Sequence, residues 1–94
     1  DSLEAQLANV FATIDATLKQ AGFQRSDIVR AVYYVPDRKL VELVFPLAGA
    51  YFTEIRPAAT LVICDLIDPA MKIEIEVTAL KERISFGDHP GTAT

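Results

Sequence analysis

Apolar residues recur at spacings of three and four along the first twenty positions, which predicts an amphipathic helix. The stripe consists of Leu3, Leu7, Val10, Phe11, Ile14, Leu18 and Ala21. Asp1 and Glu4 have the spacing of a capping box, and Gly22 is the residue type that closes a helix in the left-handed conformation. The sequence therefore predicts a helix over residues 2–21 whose apolar stripe packs on a sheet.

Three later segments have strand patterns of different character. Residues 28–35 are rich in Val, Ile and Tyr, which favour a half-buried pleated surface, and they predict a central strand. Residues 59–66 are apolar at nearly every position, so both faces of this strand are expected to be covered. Residues 72–79 alternate strictly, with Glu74 and Glu76 on one face and apolar residues on the other. That polar face fits either open solvent or a pocket, and the apolar neighbouring strand favours a pocket.

A second helix is predicted after the first strand, capped by Asp37 and continuing to Phe52. Pro46 lies inside its apolar pattern and lacks the donor for the carbonyl four residues earlier. The helix is therefore expected either to be kinked there or to begin its regular part near Phe45. Strand, helix and strand in this order imply a right-handed crossover and a parallel pair. The last two strands are close in sequence, which predicts that they form a hairpin.

Strict alternation along residues 28–35 divides the central strand into two faces. One face would hold Val29, Ala31, Tyr33 and Val35, and the other Ile28, Arg30, Val32 and Tyr34. The two adjacent tyrosines therefore point to opposite faces. Each is more typical of a core aromatic than of a pocket residue.

Composition indicates one domain and argues against several functional classes. Ninety-four residues suffice for a single core, and an apolar content of 51% suggests further burial against another subunit. No apolar run reaches the roughly 18 residues of a membrane span. A net charge of −4 without any Lys/Arg cluster argues against nucleic-acid binding.

The chain has one cysteine and one histidine, which restricts the disulfides and metal sites that it can form. They are too few for an internal disulfide or a typical zinc cluster, so no metal site is predicted, and a cytoplasmic protein is expected. Cys64 lies in an apolar strand without an accompanying histidine, which favours inert core. His89 lies in a segment typical of a solvated tail.

The two ends of the sequence differ from its middle. The chain begins with Asp rather than Met, so further residues are expected to have preceded it in the parent polypeptide. Residues 81–94 are charged at first and then rich in Gly and Thr, which predicts a mobile C-terminal extension. Within it, residues 84–86 have the composition to extend the last strand.

Several features together resemble the Rid family, also called YjgF-like proteins. They are the helix ending Gln20-Ala-Gly22, the segment Asp27-Ile-Val-Arg-Ala-Val-Tyr-Tyr-Val-Pro-Asp37, and the region from Arg56 to Glu76 with its Glu-Ile-Glu strand. These features follow the family's order and spacing over residues 1–80, which form a Rid-like domain by this resemblance.

The resemblance implies an α+β fold similar to Bacillus chorismate mutase, with a mixed sheet and two helices packed on one face. It implies that the last strand lies beside the first, against the expected hairpin, and that the family's N-terminal strands are missing from this chain. Known members form homotrimers with clefts between subunits. They hydrolyse reactive enamines and imines, such as 2-aminoacrylate, to a 2-oxo acid and ammonia without metal or organic cofactor.

The resemblance also assigns roles to individual residues. Glu74 would be the catalytic residue that holds or deprotonates the attacking water. Arg56, Leu61 and Glu76 are expected to bind a small carboxylate substrate. For Arg56 this expectation comes from its place three residues before Ala59 and not from the resemblance, and the alternative is a surface or interface salt bridge. The family's carboxylate-binding arginine is replaced here by Ala59. Three functions therefore stay open: an enamine or imine hydrolase, a trimer that binds a small metabolite without catalysis, and a nuclease. Nuclease activity is ascribed to some relatives, but the acidic net charge argues against it here.

Overall fold

The computed structural model describes residues 2–53, 55–81 and 91–93. Within them the chain forms two α-helices, α1 (Leu3–Ala21) and α2 (Val41–Tyr51). The strands are β1 (Ile28–Val35), β2 (Ala58–Ile63), β3 (Glu74–Ala79) and β4 (Gly91–Ala93). Short 3-10 turns at Arg25–Asp27 and Arg38–Leu40 precede β1 and α2. The remainder of the predicted tail, including residues 84–86 and His89, lies outside the described residues.

The first helix has the predicted extent, but a different residue caps it. Ser2 has an extended backbone, and its hydroxyl oxygen accepts a hydrogen bond of 3.1 Å from the backbone N–H three residues later. The predicted cap, Asp1, lies outside the described residues. At the other end Gly22 has φ +82°, and the N–H of Phe23 donates to the carbonyl of Leu18 at 2.8 Å. This left-handed closure confirms the role expected of the glycine.

The second helix continues through its proline. It begins at Val41, so the expected start near Phe45 is wrong. The Asp37 side chain accepts a hydrogen bond of 2.9 Å from the N–H of Lys39, and it therefore caps the preceding 3-10 turn rather than the helix. Proline is tolerated because α2 packs tightly on the sheet through other residues, while Pro46 itself is exposed.

The four strands form one mixed sheet in the order β2-β1-β3-β4. β1 pairs in parallel with β2 and antiparallel with β3, so the predicted hairpin of the last two long strands is wrong. The entry to β3 is instead held against α1 by Gln6. Its Nε2 donates to the Ala70 carbonyl at 2.9 Å, and its Oε1 accepts from the Lys72 N–H at 2.7 Å. These contacts bring β3 to the free edge of β1 on the side away from β2.

A β-bulge changes the predicted alternation at the start of β1. The β1 and β3 register passes from Ile28 opposite Ala79 to Arg30 opposite Thr78, so Val29 is an extra residue. Ile28 is therefore buried, whereas Val29 is 45% exposed. The assignment of these two residues to faces was wrong, and the assignment from Ala31 onward is confirmed.

Both helices pack on one face of the sheet and enclose a single apolar core. Its most deeply buried large side chains are Ile14, Val35, Val44, Ile73, Ile75 and Val77. The buried positions of β3 alternate with half-exposed ones, as the sequence predicts. The α+β fold with two helices on one face of a mixed sheet is thus confirmed. No helix in the described part of the chain is long and apolar enough to cross a membrane.

Candidate functional site

The face of the sheet opposite the helices, called the open face below, presents three rows of side chains across β2, β1 and β3. The rows are Ala58, Arg30 and Thr78; then Thr60, Val32 and Glu76; then Val62, Tyr34 and Glu74. The β2 column of these rows is small or apolar, and the β3 column is polar. The open face is therefore mixed: it is small or apolar along β2, carries Arg30 and Tyr34 at its centre, and has carboxylates along β3.

Strand β2 lacks the cover that its apolar sequence predicts. Five of its six residues are exposed, and Val62 and Ile63 remain 38% and 40% exposed. Leu61 alone in the strand is half-buried, because it points to the helices and packs on the core. Cover for the other positions has to come from outside residues 2–53, 55–81 and 91–93.

Glu74 and Glu76 lie together on the open face, as the alternation of β3 predicts. Tyr34 lies directly opposite Glu74 and diagonal to Glu76. Desolvation raises the pKa of Tyr34, and the negative charges of Glu76, Glu74 and Cys64 raise it further. The phenol is therefore protonated at neutral pH and is a hydrogen-bond donor. The residue pattern alone missed this neighbour of the glutamates, because it paired β3 with β2. The family resemblance, which implies that the last strand lies beside the first, is confirmed.

A cavity of about 250 Å³ lies beside the first half of β3. It is lined by three residues of α1 and by the segment that enters β3: Asn9, Val10, Thr13, Met71, Ile73, Glu74 and Ile75. β4 pairs with residues 77–79, so within the described chain it stops short of this part of β3. Glu74 consequently borders both the open face and the cavity.

The other residues expected in the site lie elsewhere in the single chain. Leu61 and Ala59 belong to the helix-facing side of β2, since their partners in β1 are Tyr33 and Ala31. Arg56 is exposed and precedes β2, whereas Glu74 lies level with the far end of that strand. From Ala58 to Val62, which is level with Glu74, the strand alone extends by roughly 13 Å. Within one chain, Arg56 and Glu74 therefore lie towards opposite ends of the sheet.

Comparison with known proteins identifies the family to which this chain is similar. The family model described as Endoribonuclease L-PSP matches residues 1–81. A RutC family protein of Aquifex aeolicus is 28% identical over 83 residues, which are 86% of this chain and 66% of that protein. Another from Leuconostoc mesenteroides is 35% identical over 80 residues, which are 81% of this chain and 62% of its own length.

Solved structures agree with this match. A YjgF/YER057c/UK114 family member from Mycobacterium tuberculosis superposes with a TM-score of 0.77 at 33% identity. The match covers 82% of this chain and 66% of the Mycobacterium chain. A protein from Thermotoga maritima, described as a putative endoribonuclease, superposes with a TM-score of 0.80 at 26% identity. The match covers 88% of this chain and 65% of the Thermotoga chain. The chain thus spans about two thirds of the length of these relatives. On its sequence and its fold, it belongs to the Rid family of YjgF and RutC proteins.

Proposed function

We propose that the protein is a cytoplasmic homotrimer that hydrolyses small enamines or imines in clefts between its subunits. The observation that carries this proposal is the position of Glu74. It lies on the open face, beside a cavity and in the same row as Val62 of β2, an apolar strand that the chain leaves uncovered. A carboxylate in such a place becomes partly enclosed, and able to direct a water molecule, once another subunit covers the sheet.

The trimer is supported by the apolar surface that a single chain exposes. Val62 and Ile63 of β2, Val29 at the bulge and Leu80 after β3 are each between 38% and 45% exposed. Burying such side chains against sister subunits contributes about 25 cal/mol per Å² of apolar area removed from water. A subunit contact over the open face would also place residues of one chain near Glu74 of the next.

The proposed reaction is addition of water to a carbon–nitrogen double bond. Glu74 accepts a proton from water as the water oxygen bonds to the imine carbon, and the nitrogen takes up a proton. The resulting carbinolamine expels ammonia and leaves a carbonyl group. For 2-aminoacrylate, which first tautomerises to its imine, one water is consumed, and the products are pyruvate and ammonia. No redox step or metal ion is needed for this balance.

Substrate binding must differ from that of relatives that use an arginine at the position of Ala59. Loss of one charge-assisted contact removes roughly 1.5–3 kcal/mol of binding to a carboxylate. Arg56 is exposed at the mouth of β2, and in a trimer it would serve a neighbouring subunit's Glu74 rather than its own. Leu61 and Glu76 remain proposed contacts of the same small carboxylate ligand.

The replacement by Ala59 favours a second candidate function, in which the trimer binds a small metabolite without turning it over. A thermal-shift screen against 2-oxo acids and amino acids addresses this function. Binding without turnover supports it, and the absence of any shift argues against it. The net charge of −4 and the glutamates of the open face argue against RNA as a ligand, since RNA binding depends on neutralising phosphates.

The hydrolase is tested by generating 2-aminoacrylate enzymatically in the presence of the protein and following pyruvate formation. We expect pyruvate to appear faster than in buffer alone. A matched reaction with heat-denatured protein controls for non-specific catalysis by exposed amines. A rate equal to that of buffer rejects the hydrolase.

A further inference from the structure

We propose that Arg30 binds the carboxylate of the substrate, in place of the family's arginine that Ala59 replaces. This inference rests on the proposed hydrolase and deepens it, because it restricts the substrates to small imino and enamine acids. It also places their carboxylate at the end of the open face away from Glu74.

Arg30 is an exposed arginine on a central strand without a polar partner. It lies in β1, between Ala58 of β2 and Thr78 of β3. In the described part of the chain it forms no ion pair or hydrogen bond. Glu76 is the nearest carboxylate across the strand pair and is diagonal to Arg30, but no ion pair joins the two. The guanidinium, with its five N–H donors, is therefore available to an anion.

The neighbours of Arg30 leave room for an anion and provide further donors. Ala58 has only a methyl side chain, so the surface beside Arg30 is low on the β2 side. Thr60 is diagonal to Arg30 on that side and Thr78 lies opposite on the other, and each carries a hydroxyl. Arg56 precedes Ala58 by two residues and adds a second positive charge at this end of the sheet. Guanidinium and hydroxyl groups are the donors that carboxylates accept from.

The separation between Arg30 and Glu74 suits a small acid. The two residues are two rows apart on the open face, which is about 13 Å along the strands. Extended towards each other, the arginine and glutamate side chains reach about 6 Å and about 4 Å from their Cα atoms, by standard bond lengths. The remaining gap is a few ångströms, so a molecule of three carbons can contact both residues.

Covering the open face creates a need for such an anion. A charged group that is removed from water without a partner destabilises the assembly that buries it. The proposed subunit contact would cover Arg30, because Arg30 lies between the uncovered strand β2 and the carboxylates of β3. A substrate carboxylate neutralises the guanidinium there through two parallel hydrogen bonds.

The test compares wild type with Arg30→Gln on two substrates. Loss of a charge-assisted contact should raise KM for 2-aminoacrylate about tenfold to 100-fold. The kcat should be nearly unchanged, because the carboxylate is not altered in the reaction. An imine without a carboxylate, generated from a primary amine by an amine oxidase, should be hydrolysed equally by both proteins. Arg38→Gln, which removes an exposed arginine from the turn before α2, is the matched control and should leave KM unchanged.

Two outcomes of this comparison overturn the inference. One is an unchanged KM for 2-aminoacrylate in Arg30→Gln. The other is an equal loss with both substrates, which would indicate that Arg30 maintains the structure rather than binds the carboxylate.

A binding measurement separates this inference from the proposed activity. Calorimetric titration with pyruvate should show that Arg30→Gln binds it about tenfold to 100-fold more weakly than the wild type. If no turnover is found but this difference is present, the hydrolase fails while the carboxylate site at Arg30 stands. The site is overturned, whatever the activity, if the wild type does not bind pyruvate or if both proteins bind it equally. A loss of binding in Arg56→Gln and not in Arg30→Gln overturns it as well.

Discussion

The Tyr51 hydroxyl donates a hydrogen bond of 2.5 Å to Asp15, which joins the end of α2 to the middle of α1. Arg25 completes the cluster: its Nη2 is 2.8 Å from the Asp15 carboxylate, and its guanidinium lies 3.9 Å from the centre of the Tyr51 ring. The ring also stacks on Phe11, with centroids 4.0 Å apart. Two helices and the turn before β1 are therefore held together by one polar cluster.

We expect Tyr51→Phe to lower the free energy of unfolding by about 1–2 kcal/mol, since it removes a hydrogen bond to a charged group but keeps the stacked ring. Asp15→Asn should cost about 1 kcal/mol, because half-exposed ion pairs contribute little. Urea denaturation measures both. Asp65→Asn, which removes a carboxylate from an exposed loop, is the control and should change little. An unaltered midpoint in Tyr51→Phe would show that the hydroxyl does not contribute.

Stability should also depend on pH through Asp15. Burial disfavours its ionised form, but hydrogen bonds from Arg25 and Tyr51 outweigh this and lower the pKa of Asp15 below its ordinary value. A lowered pKa in the folded state stabilises the fold above the unfolded pKa of about 4, and this contribution is lost as pH falls further. The difference in unfolding free energy between wild type and Asp15→Asn should therefore shrink below about pH 4. A difference that is constant from pH 7 to pH 2.5 contradicts the lowered pKa.

Replacing each of two glycines by alanine should change the free energy of unfolding in opposite directions. Gly22 has φ +82° and Gly49 lies within α2, and a Cβ added at either would meet no atom within 4 Å. The effects of both substitutions therefore come from backbone conformation and not from steric clashes. Gly22→Ala should lower the free energy of unfolding by about 1 kcal/mol, and Gly49→Ala should raise it by about 0.5–1 kcal/mol. Thermal unfolding measures both, and equal signs would refute the assigned backbone conformations.

Replacing Glu74 by Gln tests the proposed base directly. The change preserves shape and removes the proton acceptor, so we expect kcat to fall about 100-fold or more. The melting temperature should be nearly unchanged, because Glu74 is half-exposed and outside the core. Glu42→Gln on the exposed side of α2 is the control and should retain full turnover. Turnover that survives Glu74→Gln would remove Glu74 from the mechanism.

The predicted trimer depends on the open face. Light scattering of the wild type should give three times the chain mass of 10.3 kDa. Val62→Lys places a charge on the open face and should yield single chains. Leu43→Lys is the control: Leu43 is even more exposed, at 51%, but lies in the helix layer, so the trimer should persist. A trimer that withstands Val62→Lys, or a wild type with the mass of one chain, contradicts an interface over the open face.

The candidate site was predictable in part. Glu74 and Glu76 were placed on one face because alternation in β3 is a property of neighbouring residues. Tyr34 was missed because its place beside them depends on which strand pairs with β1. Arg56 was grouped with Glu74 because it lies three residues before Ala59, but the direction of β2 places Arg56 and Glu74 towards opposite ends of the sheet. Joining them in one cleft needs a second subunit, which no pattern within the chain describes.

The sequence by itself determined the two helices, the closure of α1 at Gly22 and the buried face of β3. Each of these follows from local periodicity or from the conformational freedom of a single residue. The pairing of β3 with β1 was implied by the family resemblance but by no pattern within the chain. Tertiary structure alone decided that Val29 bulges outward and that Ser2 caps α1. Strand pairing is a competition between distant segments, and here the contacts of Gln6 with the entry to β3 favour the edge of β1 over a hairpin with β2.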